Sequence, residues 1–488
     1  MGFYTITKEM QDFAFTENGS KAYKTTGSYC LDYFALIGGM RFNYQNSLNL
    51  FLKAYFENPI LAIKLLFFTR DVREGLGERR IFRYTLNALA NMYPEVATQL
   101  LPFISEYGRY DDLLCCYNSP IRKTVVSLIK EQLQKDIESK KNNQPISLLA
   151  KWLPSINTSS LETRELANRL SQSLGMTKEE YRKTLSFLRK NLIIENNLRE
   201  KDYTFDYQTI PGGAMFKYKN AFIANDIERY QEYLEQVKLG EAKINVKTIY
   251  PYQVIRALER SEYENISDEE KESLNTIWNS FDKTSISSKT IVVRDGSGSM
   301  YDCEAVSANS VATSLALLFA ERLTGEFKNK FITFSSRPKI IEVKGNDIYE
   351  KYTFIREYND ISSTNIEAVY NLIFKVYQNE NFKKEDALDR IVIISDMEFN
   401  PSFDIKKTTY EKFKEEFEKA GFELPEVVFW NVRARNVHLP VKQEEHVKLV
   451  SGASPNIIDM VINNENVTPY ELMLKAMEKY SCFDNIII

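Results

Sequence analysis

The stretch that decides the reading is Thr290-Ile291-Val292-Val293-Arg294-Asp295-Gly296-Ser297-Gly298-Ser299-Met300. A short β-branched run opens into one acidic residue, followed by hydroxyls at i+2 and i+4 with glycines between them. That is a buried strand ending in a loop that wraps closely. Working outward, the same text repeats: short apolar runs at Phe331–Phe334, Ile340–Val343, Arg390–Ser395, Glu426–Val432 and Val447–Val450. Helical patterns lie between and after them at Val306–Leu323, Asn365–Gln378, Lys406–Ala420, Asn456–Ile462 and Pro469–Tyr480. Such alternation predicts a mostly parallel sheet covered on both faces, a doubly wound α/β domain over residues 289–488. Ligands of such sheets bind outside the carboxyl ends of the strands.

At that edge the second carboxylate comes from Ser395-Asp396-Met397-Glu398, and a hydroxyl from Ser362-Ser363-Thr364-Asn365 just before a helix. A hard divalent cation takes oxygen ligands, which this set supplies. The pattern Asp295, Ser297, Ser299, with Thr364 and Asp396 following in order, resembles the metal-ion-dependent adhesion site of von Willebrand factor A domains. The resemblance covers roughly residues 288–488. It implies a Rossmann-like fold and a divalent cation, Mg²⁺ first, with Mn²⁺ or Ca²⁺ as alternatives. Ser297, Ser299 and Thr364 would touch the cation directly, Asp295 and Asp396 mostly through water, and a protein partner's carboxylate or another oxygen ligand would complete the shell. Enzyme readings fare worse. Asp295 and Ser299 stand where a nucleophile elbow needs glycine, and the chain has no phosphate-binding G-x-x-x-x-G-K-[ST] loop.

From about Ser47 to Leu258 the text is helix after helix: Ser47–Phe56, Pro59–Thr69, Glu78–Met92, Pro94–Glu106, Ile121–Lys140, Leu161–Leu174 and Lys178–Leu192. Thr177 and Glu180 form a capping box ahead of an apolar stripe of Tyr181, Leu185, Leu188 and Leu192. Stacked helical pairs of the HEAT type are expected for residues 1–285, with an acidic, Ser-rich connection at 261–288 that holds one helix at Asp268–Phe281. The strings 69–83, 107–113, 149–155, 179–183 and 210–215, taken with the C-terminal site, resemble the Ro autoantigen-like family, in which a TROVE-like helical domain precedes a von Willebrand A domain. That resemblance implies a ring of helical repeats closed by the A domain, binding RNA and not acting as an enzyme. The candidate RNA-contacting residues are Arg70, Arg73, Arg79, Arg80, Arg83, Arg182, Lys183, Arg189, Lys190, Lys217 and Lys219, with Trp152, Tyr181, Phe216 and Tyr218 close to some of them. Phosphate needs Lys or Arg, and unpaired bases stack on aromatic or guanidinium planes. Against this, Asp71, Glu74 and Glu78 interleave the first cluster, and basic stripes on helices are often solvated faces. The alternative is a protein-interaction scaffold, including an accessory or structural protein of a phage or virus.

Composition narrows the classes further. The 488 residues carry a net charge of −4. Residues 1–260 hold about +7, residues 261–288 about −5 and residues 289–488 about −6. His438 and His446 are the two histidines, which excludes a multi-histidine metal site before them. Cys30, Cys115, Cys116, Cys303 and Cys482 form no CxxC and no disulfide framework, pointing to a reducing compartment. Met1–Ile6 lacks a signal-peptide core, and the longest apolar run, Pro59–Phe68, is interrupted by Lys64. A cytoplasmic protein is expected, or a virion component, since the Lys-, Asn- and Ile-rich text fits an AT-rich bacterial or viral genome.

Overall fold

The computed structural model describes residues 12–190, 194–287, 289–301, 306–359, 364–401, 408–464 and 467–488. Residues Met1–Ile6, Leu192, Ser288, Cys303, Ser362, Ser363 and Lys406, which the sequence reading used, lie outside them. The chain divides into a helix-rich N-terminal region and a C-terminal region built on one mixed sheet.

The first strands, β1 (Phe13–Phe15) and β2 (Lys21–Tyr23), form an antiparallel hairpin. The remaining six are β3 (Thr290–Asp295), β4 (Lys330–Phe334), β5 (Ile340–Glu342), β6 (Arg390–Ser395), β7 (Glu426–Asn431) and β8 (Val447–Ser451). Their order is β5-β4-β3-β6-β7-β8, parallel except for the antiparallel edge strand β5. Every residue of β3, β6, β7 and β8 is buried, as a parallel sheet covered on both faces requires. β3 leads to β4 on one side and has β6 on the other, so the strand order reverses between β3 and β6. The carboxyl ends of these two strands, Asp295 and Ser395, therefore flank the crevice where such sheets take ligands.

The helices follow their local signals. Lys178–Arg189 carries the expected capping box and buries Tyr181, Leu185 and Leu188. The continuous helix expected over Pro94–Glu106 is instead broken into Pro94–Leu100, a tight turn at Leu101–Phe103 and Ile104–Tyr107. Pro102 inside that span lacks an amide hydrogen and clashes with the preceding turn. Helix Ile348–Ile355 and the β1–β2 hairpin are additional to the expected elements.

The acidic segment is more than a connection. Helix Asp268–Asn279 is capped by Ser267 and buries Leu274, Ile277 and Trp278, whose indole donates to Glu321 of helix Ala308–Arg322 at 3.1 Å. The two regions also interlock through the chain's far ends. Helix Tyr29–Leu36 and the Gly38-Gly39 turn after it lie against β8, where the Gly38 amide donates to Ser451 Oγ at 3.0 Å. A Cβ on Gly38 would meet the Ser451 carbonyl at 2.6 Å, so only glycine permits this approach. Conversely, Phe483 stacks into the helical region, 4.3 Å from the ring of Phe67 and 4.9 Å from that of Phe103. Within the helical region, the Tyr250 hydroxyl donates to Leu76 O at 3.4 Å, so its beginning and its end touch.

Candidate metal centre

The end of β3 builds the site's floor. Asp295 is fully buried; one carboxylate oxygen accepts the Ser297 amide at 2.9 Å and the other the Ser395 hydroxyl at 2.6 Å. The glycine-spaced turn brings the Ser297 and Ser299 hydroxyls to 3.0 Å from each other. From the end of β6, Asp396 is 1% exposed and accepts the Glu398 amide at 3.2 Å. Between them Met397 adopts φ +63°, a left-handed conformation strained for a non-glycine residue. Burial and the Asp396 charge push the Asp295 carboxyl up to about 7. Burial likewise raises Asp396, opposed by the Ser299 hydroxyl and the Arg435 charge. Two buried carboxylates and two hydroxyls converging at a strand edge are a donor set that a hard cation fits, since a cation relieves the repulsion that burial makes expensive.

Thr364 sits one layer aside. It is buried, donates to the Glu398 carbonyl at 2.7 Å and accepts the Asn18 side-chain amide at 3.1 Å. Asn18 takes one of the two lone pairs of the Thr364 hydroxyl, which leaves the other for a cation. The expected residues Asp295, Ser297, Ser299 and Asp396 are thus brought together, with Thr364 joined to them through the Asp396–Glu398 segment.

Several residues here escaped the sequence reading. Arg435 places a guanidinium nitrogen 2.9 Å from Asp396, and its other arm pairs with Glu17 at 2.9 Å. Glu398, 1% exposed, is gripped by His438 Nε2 at 3.1 Å, Asn436 at 3.0 Å and the Glu17 amide at 2.6 Å. His438 and Asn436 outweigh burial and hold the Glu398 carboxyl below its ordinary range. The turn of the N-terminal hairpin, Glu17-Asn18, consequently covers one rim. Tyr23 exchanges backbone hydrogen bonds with Leu439 at 2.8 Å in both directions, fixing the hairpin there. The loop after β7, Arg433–His438, follows an expected strand at the same sheet edge, a signal that was not used; the hairpin carried no comparable signal.

The basic candidates divide. Arg70 is buried against Asp112 at 2.8 Å, and Arg83 pairs with the same carboxylate. Lys219 is buried against Glu270 at 3.2 Å. Arg189 clamps Ala150 O, Leu153 O and Ser155 Oγ at 2.8, 2.7 and 2.6 Å. These four side chains hold the helices together, a correction to their placement on an open phosphate-binding face. Arg79 is half-buried beside Arg109 and Arg83, and burial with those charges pushes its guanidinium below its ordinary range. Arg73 donates to Glu106 O at 2.9 Å, Arg80 lies 5.6 Å from the Phe42 ring, Lys183 pairs with Glu179 and Lys217 donates to Tyr218. Arg73, Arg80, Arg182, Lys183, Lys190 and Lys217 are exposed.

Two family models match the chain, both domains of unknown function: DUF2828 at residues 16–108 and 160–285, and DUF7788 at residues 289–482. Among solved structures, the crystal structure of the Deinococcus radiodurans Ro (RSR) protein aligns with 86% of this chain and 91% of its own, at 12% identity and a TM-score of 0.37. That likeness is too loose to establish a common fold. The uncharacterized protein L728 of Acanthamoeba polyphaga mimivirus is 30% identical over 517 residues, spanning 96% of this chain and 88% of the relative. On that identity, extended over nearly the whole of both chains, the protein belongs to the same family as mimivirus L728.

Proposed function

We propose that the protein is a non-catalytic binding protein whose α/β domain captures an oxygen ligand of a partner at a divalent cation. The observation that carries this reading is the convergence of Asp295, Ser297, Ser299 and Asp396 at the strand-order reversal. These four residues would hold the cation, Mg²⁺ first, which supplies an open Lewis-acidic position for a carboxylate. Ser395 orients Asp295, and Arg435 balances the second Asp396 oxygen. Asp295 and Asp396, the carboxylates beside Ser297 and Ser299, are assigned to the cation in this reading, which makes its outcome binding and not hydrolysis.

Titration calorimetry with Mg²⁺ and Mn²⁺ tests it. Wild type should bind one cation; Asp295→Ala should weaken that binding by about 100-fold, ~2.7 kcal/mol, with its circular dichroism unchanged. No heat in wild type, or equal binding by the variant, sinks the reading.

A second reading, RNA binding by the helical region, is favoured by one face of helix Lys178–Arg189 and its cap. Lys183, Phe187 and Lys190 recur there at i, i+4 and i+7, all exposed, with Phe187 43% exposed. Lys140 reaches the same end, donating to Lys190 O at 2.9 Å. A stacking ring among cations suits single-stranded RNA. Filter binding across a salt series should show affinity falling steeply with salt; salt-insensitive binding, or none at low salt, removes this reading.

A further inference from the structure

On the other side of β3 from the candidate metal centre, Arg294 is 2% exposed. Its Nε donates to Thr313 Oγ1 at 3.1 Å, and Nη2 donates to Asn309 Oδ1 at 2.9 Å and to Asn359 Oδ1. All three acceptors are neutral. No carboxylate forms an ion pair with Arg294 among the described residues, although buried arginines are ordinarily paired. Its remaining nitrogen, Nη1, has no hydrogen-bond partner among the described residues. Arg294 lines a cavity of about 220 Å³ between helix Pro251–Glu259, with the turn after it, and the α/β domain.

The other charges around this cavity cancel in pairs. Arg256 pairs with Glu259 at 2.7 Å, and Glu259 also accepts the Ser310 hydroxyl. Arg356 lies 3.6 Å from Glu262, which accepts the Tyr352 hydroxyl at 2.8 Å. Among the described lining residues two arginines and two glutamates sum to zero, so Arg294 adds one positive charge, and it is the buried one; the adjoining Asp295, outside the lining, acts on it electrostatically without an ion pair. An uncompensated buried cation is costly.

We propose that this cavity is a binding site for a small carboxylate, seated on Arg294 Nη1 between the helical region and the α/β domain. The surplus of one charge matches a carboxylate better than a phosphate, which carries more negative charge at neutral pH. At roughly 30 Å³ per water the space equals about seven waters, the size of a short organic acid or one acidic side chain. A position between two domains is where ligand pockets concentrate.

The experiment is an NMR titration of the full chain with ¹³C-labelled acetate, run in EDTA so that no divalent cation contributes. Failure of the metal reading therefore leaves this result unaffected. Parallel arms use a glutamate-containing peptide and inorganic phosphate at matched ionic strength, the first separating an acidic side chain from a free acid. Saturable acetate or peptide binding is expected, weakened about tenfold or more by Arg294→Met, the loss of one charge-assisted hydrogen bond. Arg356→Ala, at an exposed position, should weaken it about threefold through lost positive potential and keeps the test open if Arg294→Met does not fold. No saturation up to molar acetate, tighter binding of phosphate than of acetate, or unchanged binding in both variants overturns the proposal.

Discussion

The helical region and the α/β domain treat their charges in opposite ways. In the first, Asp112 sits fully buried as a hub, accepting Arg70 and Arg83 side chains and the Arg109 amide, so positive charge becomes internal glue. In the second, Asp295 is buried with no cationic partner among the described residues, raised by burial and by the Asp396 charge, while Asp396 is raised by burial and answered on one oxygen by Arg435. At a strand end the backbone itself forces like residues together. On a helix, the same clustering can equally be satisfied by acidic residues from the next helix.

The sharpest way to break this comparison is Asp112→Ala. Leaving Arg70 buried without its partner should cost about 3–5 kcal/mol, read as a lower midpoint in urea unfolding. A cost under about 1 kcal/mol would show that the hub is not what holds these helices. A smaller effect belongs to the exposed basic face. Lys183→Glu with Lys190→Glu should lower RNA affinity about tenfold and flatten its salt dependence, leaving stability unchanged. An unaltered salt slope would place any RNA contact elsewhere. The smallest effect is expected at the rim. Glu17→Ala removes a half-exposed pair with Arg435 and should cost about 0–1 kcal/mol, while hydrogen exchange of the β1–β2 amides rises. Unchanged exchange would mean that the Leu439 bridge alone retains the hairpin.

These particulars also explain what could be read from the amino-acid text. The α/β domain was legible because β3, β6 and β7 carry apolar centres (Ile291–Val293, Ile391–Ile394, Val427–Trp430) set between helical patterns, and because Asp295, Ser297 and Ser299 are fixed by one turn. Thr364 was placed in the right wall but not with its present partners, because Asn18 arrives from 346 residues away. Arg435 and Glu398 were missed for the same reason: their roles depend on the hairpin and on the loop after β7. Arg70 and Lys219 were misplaced because periodicity tells which face of a helix is apolar, not whether a carboxylate from a later helix covers a charged position. Arg294 was quoted within the decisive stretch, yet its isolation is visible only once Asn309, Thr313 and Asn359 surround it.

The seat of Phe483 among Phe67, Phe103 and Tyr107 has a consequence for biosynthesis. A ribosome adding ~5–20 residues per second needs roughly 20–80 s to travel from the first of these rings to the last. Throughout that interval the early helices present an aromatic socket with no plug, a surface that holdase chaperones bind. Closure of the socket therefore waits on Phe483, and a stall before that residue should release a protein whose early helices are the sticky ones.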